Sequence, residues 1–447
     1  VAFTALRKER ERMGRKPQIS QCMIVKNEEK NIQRALSWGK SMMWEQIVVD
    51  TGSNDHTVEL AKAMGARVCY FPWIDDFAAA KNYAISQAKG DWIVFLDADE
   101  YMLPGGEQKL YQIIRQAGDT FDALSTGWMQ MGDGGEVALA GTQIRIFRNL
   151  PGMGYRRRIH EQLGFLDGRP MRICDAGSEL AICHTGYCGE EFVVKKSSGR
   201  NRRLIEMELT DHPDDYEMMG YMGDDYFSQG DHERAGLWYE RAIAGMPEMI
   251  PENDQRSAAT YTRLMLILKG QDDGYGAQER LLELYLSGVN KIPKEADFDY
   301  ISGCYFAERQ DYKKGSQYLL QALKKVEQYG YTNRSMILAA NLEQAYENLV
   351  SCFYHSRCLE QTVETATVLL KSYPYNMKGL YLLLKAFRRY EVDRQVNDTA
   401  MLIDFLGKLY DFTVLRDNVF VLRVAREAGY EELVSSMEYL LGEVEWN

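Results

Sequence analysis

A chain of 447 residues with 45% hydrophobic and 26% charged side chains is too long for one hydrophobic core and too apolar to be disordered, so two globular domains are expected. Its net charge of −12 excludes a general nucleic-acid binder, which needs a basic surface to neutralise phosphates. No uninterrupted apolar run is long enough to span a bilayer, so no integral membrane segment is expected.

Residues 1–17 form a basic extension carrying Arg7, Lys8, Arg10, Arg12, Arg15 and Lys16. No apolar stretch follows these charges, so the segment does not read as a secretory signal. The eight cysteines are scattered without a Cys-x-x-Cys pair. Cys183 and Cys188 have only His184 beside them, short of the four convergent ligands of a structural zinc. Free thiols in a reducing cytoplasm are the better expectation.

From residue 18 to 210 the pattern alternates strand and helix. Ile19 to Val25 (ISQCMIV) is a strand, and Asn31 to Trp38 a helix. Gln46 to Asp50 (QIVVD) is a second strand. The helix after it runs through Met64, with Ser53, Asn54 and Asp55 as capping residues and Gly65 at its end. Val68 to Phe71 is a third strand, Ala78 to Ala88 a helix ended by Gly90, and Trp92 to Leu96 (WIVFL) a buried strand. Such alternation predicts a largely parallel sheet covered on both faces.

Residues 211–447 read as helix after helix. The stretch from Tyr216 to Pro247 fits a tetratricopeptide repeat of about 34 residues. Gly223 and Tyr226 fall in its first helix, and Ala235, Tyr239 and Ala242 in its second. Gly303, Phe306, Gly315, Leu319 and Ala322 repeat these offsets, and a looser copy contains Leu349, Phe353, Ala366 and Leu369. The copies lie farther apart than one period, so an irregular array is expected, with a generic helical bundle as the alternative.

The strongest chemical signal is Asp97-Ala98-Asp99-Glu100, directly after WIVFL. In open α/β sheets ligands bind beyond the carboxyl ends of the strands, where these carboxylates emerge. Paired carboxylates suit a hard divalent cation, Mg²⁺ or Mn²⁺, together with sugar or ribose hydroxyls. Taken alone, such a pair is a common acidic loop.

The runs QCMIVKNEEKNIQRAL, VVDTGSNDHTVELAKAMGA and FAAAKNYAISQAKGDWIVFLDADE, in this order, resemble the family-2 glycosyltransferases over roughly residues 18–190. The resemblance implies a GT-A fold, a Rossmann-like nucleotide-diphosphosugar domain, and an inverting, metal-dependent transfer. It further implies that Val25 and Asn27 flank the nucleotide base and that Asp50 contacts it, favouring UDP. Lys81 and Asn82 would face the nucleotide, Asp97 the ribose or sugar, and Asp99 the metal. On their own residues, Asp50 fits equally a turn aspartate and Lys81 a solvated helix lysine. His184, in ICHTGY, is the candidate further metal ligand. The family's usual base aspartate is missing, so Glu161 is the candidate base and His160 the next. Arg158, in the run Arg156 to Arg158, would steady the diphosphate leaving group, although a solvated strand edge is the alternative.

The Q-x-x-R-W motif of processive synthases is absent, which favours transfer of a single sugar. A catalytic domain followed by helical repeats is similar to the bacterial peptide glycosyltransferases of the sublancin type. A peptide or protein side chain is accordingly the expected acceptor, with the repeats holding it. A lipopolysaccharide or capsule transferase is one alternative, and a non-catalytic repeat scaffold another. The residues leave the sugar and the oligomeric state open.

Overall fold

The computed structural model describes residues 16–132, 136–185, 199–251, 254, 256–271, 275–330, 336–394 and 399–443. Two compact units divide the chain, Val1–Asp225 and Tyr226–Asn447. Most of the basic extension, together with Cys188 and the Gly-Tyr of ICHTGY, lies outside the described residues.

The first unit begins β1 (Ile19–Val25), α1 (Ile32–Ser37), β2 (Glu45–Asp50), α2 (Thr57–Ala63), β3 (Arg67–Tyr70), α3 (Phe77–Gln87) and β4 (Trp92–Phe95). It continues with β5 (Glu100–Met102), α4 (Gly106–Ala117), β6 (Ala123–Met131) and β7 (Val137–Arg148). Strands β8 (Met153–Arg156), β9 (Gln162–Phe165), β10 (Ile173–Asp175) and β11 (Ala181–His184) follow, then helices α5 (Arg200–Asp211) and α6 (Tyr216–Ser228).

The main sheet has the order β3-β2-β1-β4-β7-β6-β11-β5, with β10 beside β6. Strands β3, β2, β1 and β4 are parallel, as the alternating pattern predicts. Beyond β4 the sheet turns mixed, because β7 runs antiparallel to both β4 and β6. The expectation of a largely parallel sheet therefore holds for one half only. Strands β6 and β7 are antiparallel neighbours, and such neighbours need no crossover helix.

Both faces of the parallel half are covered, so β1, β2 and β4 are largely buried and mostly apolar. Alternate residues diverge: Ile47 and Val49 join Ala78, Ala84 and Phe95 on one face, while Val48 joins Ile32, Leu36 and Ala61 on the other. Gln21 and Gln46 are buried polar exceptions, and they satisfy each other and helix α1. Gln46 donates to Gln21 Oε1 at 2.7 Å, and their amides reach the carbonyls of Leu36 and Ala35. The register sets Val25 opposite Asp50, so the carboxyl ends of β1 and β2 finish level.

Two local expectations change. Helix α2 is capped through Asp55, whose carboxylate accepts the Thr57 N–H at 3.0 Å; Ser53 and Asn54 instead bond to Asn27. Helix α3 stops at Gln87, before Gly90. Gly90 is there because a Cβ would meet Ser20 Oγ at 2.6 Å and the Gln18 carbonyl at 2.8 Å.

The second unit is helical throughout its described residues. Four of its hairpins share one turn. Asp231, Asp311, Cys358 and Tyr430 each donate a main-chain N–H to the carbonyl five residues earlier. The residue before each, Gly230, Gln310, Arg357 or Gly429, is left-handed. This is the bonding of a Schellman stop, and two of the four accept a non-glycine residue at its strained position. Small residues allow the close approaches expected of them: a Cβ on Gly303 would meet Leu319 Cγ at 2.7 Å. Among the described residues, no helix is long and apolar enough to cross a membrane.

Candidate active site

Strand β4 ends beside β1, and the chain then turns through Asp97, Ala98 and Asp99 at the carboxyl edge of the parallel strands. Glu100 closes this turn. Its carboxylate accepts the Asp97 N–H at 3.0 Å, the Trp128 indole N–H at 3.2 Å and the Arg145 guanidinium at 2.7 Å. Glu100 is fully buried, so it shapes the loop and neutralises Arg145 while Asp97 and Asp99 face outward. Arg145 also reaches Asp97 Oδ2 at 3.3 Å.

Lys81 approaches from α3. Only 2% of it is exposed, which settles against a solvated lysine. Its ammonium lies 2.5 Å from Glu161 Oε1 and 3.5 Å from Asp97 Oδ1, over the rings of Phe95 and Tyr155. Burial alone would lower its pKa, but Asp97 and Glu161 outweigh that and hold it above the ordinary lysine value. Burial pushes Asp97 the other way, yet Lys81, Arg145 and His184 together bring its carboxyl down to about 2. Lys81 and Arg145 thus lie among the carboxyl groups of Asp97, Glu100 and Glu161.

Asp99 and His184 form a second pairing, made by strand register. His184 sits opposite Gln130 on β6 and Glu100 on β5. Its Nδ1 lies 2.6 Å from Gln130 Oε1, and its ring lies against Trp128 at 5.1 Å. With an amide oxygen as partner, Nδ1 carries the hydrogen, so Nε2 is the atom that faces Asp99 Oδ2, 3.5 Å away. The space between them suits a proton or a cation. Among the described residues no three His, Cys, Asp or Glu side chains converge to hold a metal by themselves. A pair of ligand atoms still fits Mg²⁺ or Mn²⁺, which take one or two protein ligands and complete their shell with waters and phosphate oxygens.

At the ends of β1 and β2, Asn27 is left-handed and knits the two loops together. Its N–H donates to Ser53 Oγ and its Oδ1 accepts the Asn54 N–H, both at 2.9 Å. Val25 is buried, and its carbonyl accepts the N–H and hydroxyl of Thr51. Asp50 accepts the N–H groups of Gly52 and Ser53 at 3.1 Å, the geometry of a turn aspartate.

Three predicted site residues are engaged elsewhere. Asn82 uses both ends of its amide on the main chain of Tyr155, at 2.7 and 2.9 Å, and so anchors β8. Arg158 is paired with Asp211 at 2.8 Å and lies 4.0 Å from Asp76. Its neighbour Arg157 is paired with Asp215 and Glu217, while Arg156, at the end of β8, is exposed. Arg157 and Arg158 tie α5 and the start of α6 to the sheet, with the Arg158 N–H donating to Glu208 at 2.8 Å. His160, left-handed in its backbone, stacks its ring flat on Tyr221 at 3.6 Å. Only Glu161 of the His-Glu pair turns into the cluster.

Sequence reasoning missed Arg145, Trp128, Gln130 and Tyr155, and gave Glu100 no separate role. A signal existed for Arg145, a charge inside the apolar strand IRIFRN, which needs a buried partner. No local signal marks Trp128 or Gln130.

The model of glycosyl transferase family 2 matches residues 20–163. A TPR repeat-containing protein of Synechococcus elongatus is 31% identical over 294 residues, covering 64% of this chain and 71% of its own. The prophage-derived glycosyltransferase SunS of Bacillus subtilis is 26% identical over 289 residues, covering 64% of this chain and 65% of its own, just under two thirds of that protein. The crystal structure of S. aureus TarS aligns at 16% identity with a TM-score of 0.33, covering 60% of this chain and 54% of that one. The chain belongs to glycosyl transferase family 2, as a glycosyltransferase whose GT-A nucleotide-sugar domain precedes helical repeats.

Proposed function

We propose that the enzyme transfers one sugar, with inversion, from a UDP-sugar to a side chain of a peptide or protein, using Mg²⁺ or Mn²⁺. The observation that carries this reading is the buried Lys81 shared by Asp97 and Glu161, beside the Asp99–His184 pair, at the carboxyl edge of the sheet. Asp99 and His184 would hold the cation, which supplies charge stabilisation to the departing diphosphate. Lys81 meets the diphosphate oxygens, and Asp97, fixed between Lys81 and Arg145, receives sugar or ribose hydroxyls.

Glu161 is the base. The acceptor atom bonds to the anomeric carbon, the bond from that carbon to the diphosphate oxygen breaks, and the acceptor proton passes to Glu161. Asp50 retains acceptor capacity beyond its turn bonds, since a carboxylate offers about four lone-pair sites, and this supports contact with a uracil N–H. Val25 and Asn27 border the same edge. Arg158 and Asn82 act through the scaffold, and His160 through its stack on Tyr221. The peptide acceptor is supported by the array of helical hairpins and by the likeness in architecture to peptide glycosyltransferases.

Thermal unfolding with a panel of nucleoside diphosphates, each with and without Mn²⁺, tests the donor. UDP with Mn²⁺ is expected to raise the midpoint, because a ligand of the native state stabilises it by mass action. No shift with any nucleotide would sink the donor reading. Mass spectrometry of a Cys-, Ser- and Thr-containing peptide library incubated with the matching UDP-sugar tests the acceptor; sugar found only on glycans or lipids would overturn it.

A further inference from the structure

Tyr155, on β8, is locked on every side. Its main chain is pinned by Asn82, and its ring stands edge-on to Phe95 at 5.5 Å and to Phe147 at 6.1 Å. Lys81 sits over its face, 5.3 Å from the ring centre. The residue is 4% exposed, and its hydroxyl has no hydrogen-bond partner among the described residues. A buried hydroxyl left without a partner costs stability, and a phenylalanine would fill the same space without that cost.

The surroundings say what the hydroxyl could serve. The Lys81 ammonium over its ring is itself 2.5 Å from Glu161 and 3.5 Å from Asp97, which brings both carboxylates close to the phenol. Burial raises its pKa, Lys81 and Arg145 lower it and the two carboxylates raise it, with a net rise, so the group remains a protonated donor. Its available acceptors are therefore carboxylates, and of the two, Asp97 already has Arg145 and Lys81. Among the described residues, the ion pair of Glu161 is with Lys81, at 2.5 Å. A diphosphate drawn to Lys81 competes for that ammonium and leaves Glu161 half-buried without its cation.

We infer that Tyr155 is a positioning residue: its hydroxyl takes over from Lys81 in holding Glu161 when a nucleoside diphosphate engages the lysine. The inference rests on the reading above that Lys81 meets the diphosphate and Glu161 is the base. Charge on Glu161 is then kept, and its orientation fixed, at the moment the acceptor proton must be received.

The experiment follows UDP release from UDP-glucose and from UDP-N-acetylglucosamine with Mn²⁺, water serving as acceptor, in the full chain and in Tyr155→Phe across pH. The variant should melt no lower than the parent and keep its thermal shift with UDP and Mn²⁺. Its KM for the donor should stay within about twofold while kcat falls roughly 10-fold, and the acidic limb of the kcat profile should move up by about 0.5–1 pH unit as a donor to the carboxylate is lost. Added to Glu161→Gln, Tyr155→Phe should lower kcat no further, because it acts through that residue. An unchanged kcat and acidic limb in the variant, with the parent active, would overturn the role of Tyr155 alone, as would an independent loss in the double variant. A variant that fails to fold would overturn the premise that the hydroxyl has no partner. No UDP release and no thermal shift in the parent would overturn the donor reading and this inference with it.

Discussion

Each unit of the chain buries a lysine against aspartate, and the two arrangements have opposite consequences. In the helical unit Lys325 lies 2.6 Å from Asp299, whose other oxygen accepts the Tyr285 hydroxyl at 2.8 Å, and the carboxylate has no exposure at all. In the α/β unit Lys81 is more deeply buried, but the side chain of Asp97 is 36% exposed. Burial wins at Asp299 and raises its pKa despite Lys325; at Asp97 the two cations and His184 win and lower it. A buried ion pair by itself therefore says little about function. The difference is the open side of the carboxylate: one pair closes on itself and fixes helix packing, while the other is a cationic floor under an acidic rim.

The largest effect should come from the rim. Asp99→Ala should lower Mn²⁺-dependent UDP release on the order of 1000-fold, the several kcal/mol that a bound Lewis acid supplies, with the melting midpoint unchanged. Undiminished release would leave the Asp99–His184 pair a structural contact, like Lys325–Asp299.

Next in size is the contrast between the lysines. Lys325→Met strands a fully buried carboxylate and should cost about 3–5 kcal/mol in chemical denaturation without altering the UDP thermal shift. Lys81→Met should cost less stability, because Asp97 keeps Arg145 and reaches water, yet it should abolish the UDP shift. Equal destabilisation by both would break the distinction drawn between the pairs.

The two units should also respond oppositely to pH. Asp97 titrates at about 2 in the fold against an ordinary 3.8, so its contribution is present above pH 3.8 and is lost as pH falls through 2. Asp297, buried beside Glu295, is pushed up to about 7 by that burial and by Glu295, although it accepts the N–H groups of Ile337 and Leu338. Its contribution is full below pH 3.8 and is lost as pH rises through 7. Stability of the helical unit measured by hydrogen exchange should fall between those values, and Asp297→Asn should flatten the slope. A slope of the other sign would show that the main-chain bonds outweigh burial.

The smallest effect is expected where the sequence suggested a diphosphate clamp. Arg158→Ala breaks a partly exposed pair with Asp211 and should cost within about 1 kcal/mol, with the donor KM unchanged. A tenfold rise in KM would restore Arg158 to the site.

How much was legible follows from how far each signal travels along the chain. Backbone period is local, so β1, β2, α3 and β4 appear in the sequence within a residue or two of their places, and the acidic turn after WIVFL marks the carboxyl edge. The repeating turns of the helical unit are local too, though their positions 230, 310, 357 and 429 keep no fixed period. Matching a motif by position did not reveal what Asn82 and Arg158 meet after folding, the Tyr155 main chain and Asp211.

Composition and pattern alone thus determined the α/β-then-α order, the parallel half of the sheet and the place where Asp97 and Asp99 emerge. Tertiary structure decided the rest: the antiparallel half, the burial of Lys81, the use of Arg157 and Arg158 as ties, and the closure of Glu100 on Arg145. The reason is distance in sequence. Arg145 finds Glu100 and Asp97 45 and 48 residues away, and Lys81 finds Glu161 farther still. Such partners are fixed by strand register and by the cost of leaving a buried charge unpaired, and neither is written in any local window of residues.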